Sequence, residues 1–365
     1  MKPLMDEWGV VERLLPQGWQ TAARERGAFR RARYIQDPST LLRVLLFHAV
    51  NGSGLRQTTA LLQAAGVARM SQVALLKRLR SAGDWLAWIA AGLCERLRER
   101  PRPYGAFRLR VLDGTTLQGP ASQGTEWRLH YTLDLSNLQC DWQELTGADG
   151  GEHLARVPAA KDDVFLADRN FLTPSGMAHL ANAGAYAVIR LRWSHPRLLD
   201  AKGRECQALR LARGVSVGKT GDWPVSLPLP DGRRIAARVV ALRLPAPLAK
   251  RARERARRIS AKKRRRIHPN TLKAAGYVMV LTTLPREQLS AVDVLELYRY
   301  RWQIELTFKW LKQLLRMGRL PHKDPRAARG WVQAKLVVAL LLETLYRSAR
   351  VFSPWGYNLA TRQET

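Results

Sequence analysis

Between residues 106 and 193 the chain changes its period, and that change fixes its class. Arg108–Asp113 alternates apolar and polar side chains, Trp127–Leu135 alternates again, and Leu138–Leu145 follows across Ser136-Asn137. Two-residue periodicity bounded by turn residues predicts three neighbouring strands, the first of them ended by Gly114. A short helix is predicted over 151–156. Val164–Ala167 is a continuous apolar run that stops at Asp168. Thr173-Pro174 opens a helix that Gly184 closes, and Tyr186–Trp193 reads as a further strand. Three meandering strands followed by strand–helix–strand is an α/β order with a mixed sheet.

The flanks have other characters. Residues 1–105 read as helices. Asp37-Pro38-Ser39 starts Leu41–Val50 and Asn51-Gly52 stops it, Leu55–Ala65 is broken by Gly66, and Ser71 caps a helix that begins at Gln72. The last two helices and their glycine turn suit a DNA-reading helix-turn-helix and a plain helical hairpin equally. Pro101-Arg102-Pro103 closes this region. Residues 194–285 read as a β-rich basic insertion, with short strands such as Arg234–Leu242 and a charged run, Lys250–Lys273, holding twelve Lys/Arg and one acid. A strand at Tyr277–Thr283 leads to a long helix, Ala291 to about Met317, and to an apolar helix, Trp331–Ala349. The predicted units are thus 1–105, a core of 106–193 plus 286–350, the insertion 194–285, and a tail 351–365.

Charge narrows the function. The chain of 365 residues carries 61 Lys+Arg against 30 Asp+Glu, a formal net charge of +31. That surplus points to a polyanionic partner. Hydrophobic residues make up 46%, so cores can form and wholesale disorder is excluded. The apolar run Leu336–Leu342 is far shorter than the roughly 20 residues of a membrane helix. Asp6 and Glu7 stand where a signal peptide would be basic. Widely spaced Cys94, Cys140 and Cys206, with no HExxH, argue against a disulfide framework or zinc site and fit a reducing cytoplasm.

Acids are scarce here, so their positions carry weight. Asp113 and Asp168 each fall at a predicted strand end, where α/β folds bind ligands; Asp113-Gly114 is equally a turn dipeptide. On the long predicted helix, Arg301, Glu305 and Lys312 lie three, seven and fourteen positions after Tyr298. At about 100° per residue these four share a sector of roughly 60°. A carboxylate among cations and an aromatic suits a metal-and-phosphate site; a solvated charged face has the same pattern.

Those residues carry a resemblance. Tyr298-x2-Arg301-x3-Glu305-x6-Lys312 matches the Y-x2-R-x3-E-x6-K signature of IS4-family DDE transposases, the group that includes the Tn5 transposase. Val111-Leu112-Asp113-Gly114-Thr115 and Leu166-Ala167-Asp168-Arg169 resemble the family's two aspartate strands. The similarity spans roughly Leu55 to Ala349. It implies an RNase H-like fold preceded by an all-helical region and interrupted by a β-rich insertion. It also implies Mg²⁺ or Mn²⁺, two ions, held by Asp113, Asp168 and Glu305, with Tyr298, Arg301, Lys312 and Arg169 gripping phosphates. The implied reaction is cleavage of transposon ends and their joining to target DNA by in-line phosphoryl transfer. A metal-dependent nuclease of the same fold, and a decayed non-catalytic DNA-binding protein, are the alternatives. The implied partners are inverted-repeat ends and target DNA, handled by a homodimer in a synaptic complex, in a bacterial cytoplasm at the nucleoid.

Two features depart from the family pattern. Asn170-Phe171 follows Asp168-Arg169 where Gly and Tyr are frequent. Tyr277 stands near where relatives have a tryptophan that stacks on a flipped base; a tyrosine can stack, and it can equally be a core aromatic. Within the basic run, Arg264, Arg265 and Arg266 are the densest candidates for backbone-phosphate contact, as against a solvated charge run.

Overall fold

A computed structural model of the chain describes residues 8–32, 34–98, 107–120 and 124–351. The predicted break at Pro101–Pro103 and the tail from 352 onward lie outside the described residues. The N-terminal elements are α1 (Trp8–Leu14), α2 (Trp19–Glu25), α3 (Pro38–Asn51), α4 (Leu55–Ala64) and α5 (Gln72–Arg98). Their limits follow the sequence signals. The Asp37 side chain accepts from the Thr40 N–H at the start of α3, and Gly52 takes a left-handed conformation at its end. The Ser71 hydroxyl caps α5 through the Ala74 N–H at 3.2 Å.

The central elements are β1 (Arg108–Leu117), β2 (Trp127–Asp134), β3 (Gln139–Gly147), β4 (Asp163–Ala167), α6 (Pro174–Asn182) and β5 (Tyr186–Arg190). The expected helix over 151–156 is a single 3₁₀ turn, Leu154–Arg156. Gly114 does not end the first strand: it keeps extended geometry opposite His130, and β1 pairs with β2 as far as Leu117. A glycine between paired neighbours satisfies its backbone groups through the ladder, so nothing forces a turn there.

The remaining elements are β6 (Leu198–Leu199), β7 (Glu205–Cys206), α7 (Ala208–Ala212), β8 (Thr220–Pro228), β9 (Arg234–Arg243), α8 (Ala246–Lys262), α9 (Pro269–Ala274), β10 (Tyr277–Thr282), α10 (Ala291–Arg299), α11 (Trp302–Gln313) and α12 (Pro325–Val351). One ten-stranded sheet has the order β3-β2-β1-β4-β5-β10-β9-β8-β6-β7. β1, β4 and β5 run parallel, while β2 pairs antiparallel with β1 and β3 pairs antiparallel with β2. The insertion therefore does not form its own sheet. Its strands extend the central one through β10, which pairs antiparallel with β5 and β9. The basic run is mostly helical: Ala, Arg and Lys are strong helix formers, and they build α8 with a turn leading to α9.

The sheet lies between two apolar layers. Val111 and Leu166 point to one face, covered by α5, α12, α10 and α11; Leu112, Phe165 and Ala167 point to the other, covered by α6 and α7. Strand alternation assigns the faces. The N-terminal helices share the first of these cores, from Leu15 to Leu341. Arg110 crosses the apolar interior as part of an ion-pair cluster with Asp141 and Asp163.

Candidate active site

Asp113 is not at a strand end, yet it stands at an edge of another kind. Leu112 is the last residue of β1 paired with β4, opposite Ala167. Asp113 and Asp168 are the next residues on each strand, so they leave two neighbouring parallel strands at the same level. Val111, two residues before Asp113, faces the layer of α10 and α11, and alternation turns Asp113 the same way. The Asp113 carboxylate accepts from its neighbour's N–H, Gly114, at 2.8 Å. Asp168 accepts from the Asn170 N–H at 2.6 Å, which shapes the turn after β4.

The predicted long helix is two helices. At Tyr300 and Arg301 the backbone switches to i→i−3 bonds, from Tyr300 N to Leu297 O and from Arg301 N to Tyr298 O. This tightened turn separates α10 from α11. Arg301, at the joint, donates to Asp113 at 3.3 Å and also to Glu305 one turn on. Glu305 thus meets Asp113 through a shared guanidinium. Its side chain is 60% exposed, against 19% for Asp113. Lys312 does not join them: two turns beyond Glu305, it lines a separate cavity with Arg316, Arg319 and Lys335.

The electrostatics are governed first by burial. Burial pushes the Asp113 carboxyl up to about 6; Asp168 and Glu152 add to this, while the Gly114 N–H and Arg301 oppose it. Burial also raises Tyr298, which stands among Arg301, Arg190 and Asp168. Arg301 is lowered by burial but raised on balance by Tyr298, Glu305 and Asp113.

Two members of the cluster were not legible in the motifs. Glu152 sits beside Gly114 and accepts from the Asn170 amide at 3.1 Å. It belongs to an irregular loop with no period to mark it. Arg190, pulled down by burial and by its cationic neighbours Arg169 and Arg301, ends β5. Its signal was available, because β5 is the strand next to β4 and its end lies on the same edge. Arg169, next to Asp168, is exposed.

The other predicted residues lie elsewhere. Tyr277 is partly buried against the second core and lines a cavity with Arg243, Arg253 and Lys273; none of the three acids lines that cavity. Arg264, Arg265 and Arg266 form the exposed turn after α8. Trp193, three residues past the end of β5, stacks on His268 with ring centroids 4.7 Å apart and donates to Thr271.

Carboxylate oxygens are the donors that Mg²⁺ and Mn²⁺ prefer, and Asp113, held up chiefly by burial and secondarily by Asp168 and Glu152, is a carboxylate that added positive charge would stabilise. The donor chemistry fits a divalent cation. Among the described residues, however, no three acid, histidine or cysteine side chains are grouped tightly enough to hold one ion. Arg301 is the cation between Asp113 and Glu305 in this structure.

The order β3-β2-β1-β4-β5, with aspartates leaving the two central parallel strands together, defines the class: an RNase H-like enzyme core. The Transposase DDE domain family matches residues 105–341. Two similar proteins are the transposase for insertion sequence element IS421 of Escherichia coli and the InsL protein of insertion sequence element IS186A of Escherichia coli strain K12. Each is 36% identical, with 96% of this chain and 96% of the relative covered. The chain belongs to the DDE transposase family, as its IS4-type signature implies. No helix among the described residues is long and apolar enough to cross a membrane.

Proposed function

We propose that this transposase cuts the ends of an insertion-sequence element and joins them to target DNA, with Asp113, Asp168 and Glu305 as its catalytic carboxylates. The observation that carries this reading is the meeting of Asp113 and Asp168 on adjacent parallel strands, with Glu305 linked to Asp113 through Arg301. The three acids would hold Mg²⁺ or Mn²⁺, two ions, whose chemistry there would be to activate the attacking oxygen and to stabilise the leaving one. The rest is done by the chain's own groups. Arg301 neutralises two of the acids in the absence of substrate and offers its fork to nonbridging phosphate oxygens. Tyr298, Arg169 and Arg190 fix the position of that phosphate around Asp168.

DNA is gripped away from the acids as well. A groove of about 810 Å³ beside the first turns of α5 is lined by Arg26, Arg30, Lys77, Arg78, Arg80 and Arg329. The acid on its wall, Asp84, is paired with Arg329 at 2.7 Å. We assign duplex binding to this groove, which is where a helix-turn-helix reading of α4 and α5 would put it. Arg264, Arg265 and Arg266 extend phosphate contact along the insertion. Two copies of the chain would bring two ends together at the bacterial nucleoid.

The test is Mg²⁺-dependent cutting of labelled element ends by the wild type and by Asp113→Ala, Asp168→Ala and Glu305→Ala. Each substitution should reduce cutting by at least about 100-fold, the scale of lost electrostatic stabilisation at a reacting group. Unchanged cutting in all three variants removes the assignment. A target plasmid in the same reaction separates transposition from hydrolysis: cut ends without joined product would make the protein a nuclease.

A further inference from the structure

Behind α11 lies a second cavity, of about 560 Å³, lined by Lys312, Arg316, Arg319, Lys335, Gln118 and Trp331 and by no acid. Its rim is fixed by the backbone: Leu320 N–H donates to Gln118 O at 2.9 Å, and Gln118 bridges Arg319. Lys335 is the unusual member. It is 3% exposed, and its ammonium stands 5.0 Å from the centre of the Trp331 ring. Among the described residues no carboxylate, carbonyl or hydroxyl is paired with it.

Among the described residues, no acid lines this cavity as a counter-charge. His48 and His322 touch through their Nε2 atoms at 3.1 Å, and burial holds both below the usual histidine range, His48 at about 4, so the pair is neutral and is no counter-charge. Burial and Arg316 pull Lys335 down to about 8. Buried charges in folded proteins are ordinarily paired. A cavity with cationic walls and a lysine at its base that faces an aromatic ring and no carboxylate therefore suits an anionic ligand.

We propose that this cavity is a phosphate pocket that seats a backbone phosphate of the bound DNA, with Lys335 at its base and Lys312, Arg316 and Arg319 around it. This rests on the reading of the protein as a DNA-cutting enzyme and adds a contact apart from the acids. Lys312 is seven residues beyond Glu305 on α11, about 10 Å at helical rise. Gln118, just past the end of β1, is five residues beyond Asp113, about 16 Å at strand rise. The seated phosphate therefore lies roughly three to five base steps, at 3.4 Å each, from the one that is cut. The pocket sets how far the duplex is drawn across the site before cutting.

The test uses the full chain in EDTA, so no cleavage can contribute. Lys335→Met keeps the side-chain length and removes the charge; Arg316→Gln changes an exposed residue of the rim and serves if Lys335→Met does not fold. Two probes are read: inorganic phosphate, by ³¹P line broadening, and a duplex of arbitrary sequence, by anisotropy over a range of KCl. Wild type should broaden the phosphate signal, and the duplex should restore it. Either variant should lose the broadening and flatten the log–log salt slope by about 0.9, one phosphate contact. A flattened slope alone still supports the pocket. An unchanged slope overturns it. Phosphate that binds but is not displaced by the duplex also overturns it, and marks a site for free anions. Because these readings need no metal, they stand or fall separately from the alanine series on the acids.

Discussion

Arg110 and Arg301 each stand between two carboxylates, and their surroundings give them opposite roles. Arg110 is enclosed: it bonds Asp141 and Asp163, donates to Pro158 O at 2.6 Å, and lies over the Phe165 ring at 4.7 Å. Removing Arg110 takes from Asp163 the cation it is paired with and leaves Asp141 with Arg108 alone as its cation. Arg110→Met should therefore cost about 3–5 kcal/mol in a denaturant titration. Arg301 is nearer water, where ion pairs contribute less. Arg301→Gln should change stability by under about 1 kcal/mol while lowering DNA cleavage; a large loss of stability would make it a structural residue. Glu343 gives the pH dependence. It accepts from Tyr131 and from the Cys140 N–H, yet burial outweighs both bonds and raises its carboxyl from 4.5 to about 7. The folded state thus holds the proton more tightly than the unfolded one. Between about pH 4.5 and 7 the folded state keeps that proton while the unfolded state loses it, so stability falls as pH rises through this window. Glu343→Gln retains an acceptor and removes the titration. Relative to wild type it should gain about 1–3 kcal/mol from pH 5 to pH 8, once partial exposure is discounted. A melting difference that is flat with pH would show that Glu343 does not control it.

At the scale of elements, what could be read in the chain depended on how local the signal was. The caps of α3 and α5 and the glycine stops of α3, α4 and α6 are local chemistry, and the structure has them where the sequence puts them. The two aspartates were legible because each follows an apolar strand run. The length of β1 was not, because the pairing that carries it past Gly114 comes from β2. The joint between α10 and α11 was also hidden. No proline or glycine marks it, and the signature spacing is unaltered by a turn that tightens from i−4 to i−3 bonding. Lys312 follows from the same limit: helical spacing gave its distance from Glu305, while the second cavity that it faces is closed by Gln118, past the end of β1, and by Trp331 and Lys335 of α12. Helix contacts show this dependence most directly. A Cβ built on Gly330 of α12 would fall against the carbonyl oxygen of Leu79 in α5. Backbone meets backbone there, and neither can yield as a flexible side chain could. Gly330→Ala should force the two helices apart and cost about 1–3 kcal/mol, despite alanine's better helix propensity. A variant as stable as the wild type would show that this approach is not tight.

Across the whole molecule, the charge is divided between places. The groove beside α5, the cavity at Lys335 and the turn after α8 are separate basic surfaces reached from different parts of the chain, while the acids are few and partly neutralised by Arg301. A duplex held at several such points loses affinity with salt in proportion to the phosphates engaged, so each surface can be counted by its share of the slope. Arg264, Arg265 and Arg266 are exposed and belong to neither core. Replacing all three by glutamine should leave the melting temperature nearly unchanged. If each arginine meets one phosphate, the log–log slope of duplex binding should fall by about 2.7, with little change in preference among sequences, because phosphate contacts position without specifying. An unaltered slope would place this turn away from the DNA and leave the groove and the cavity to carry the binding.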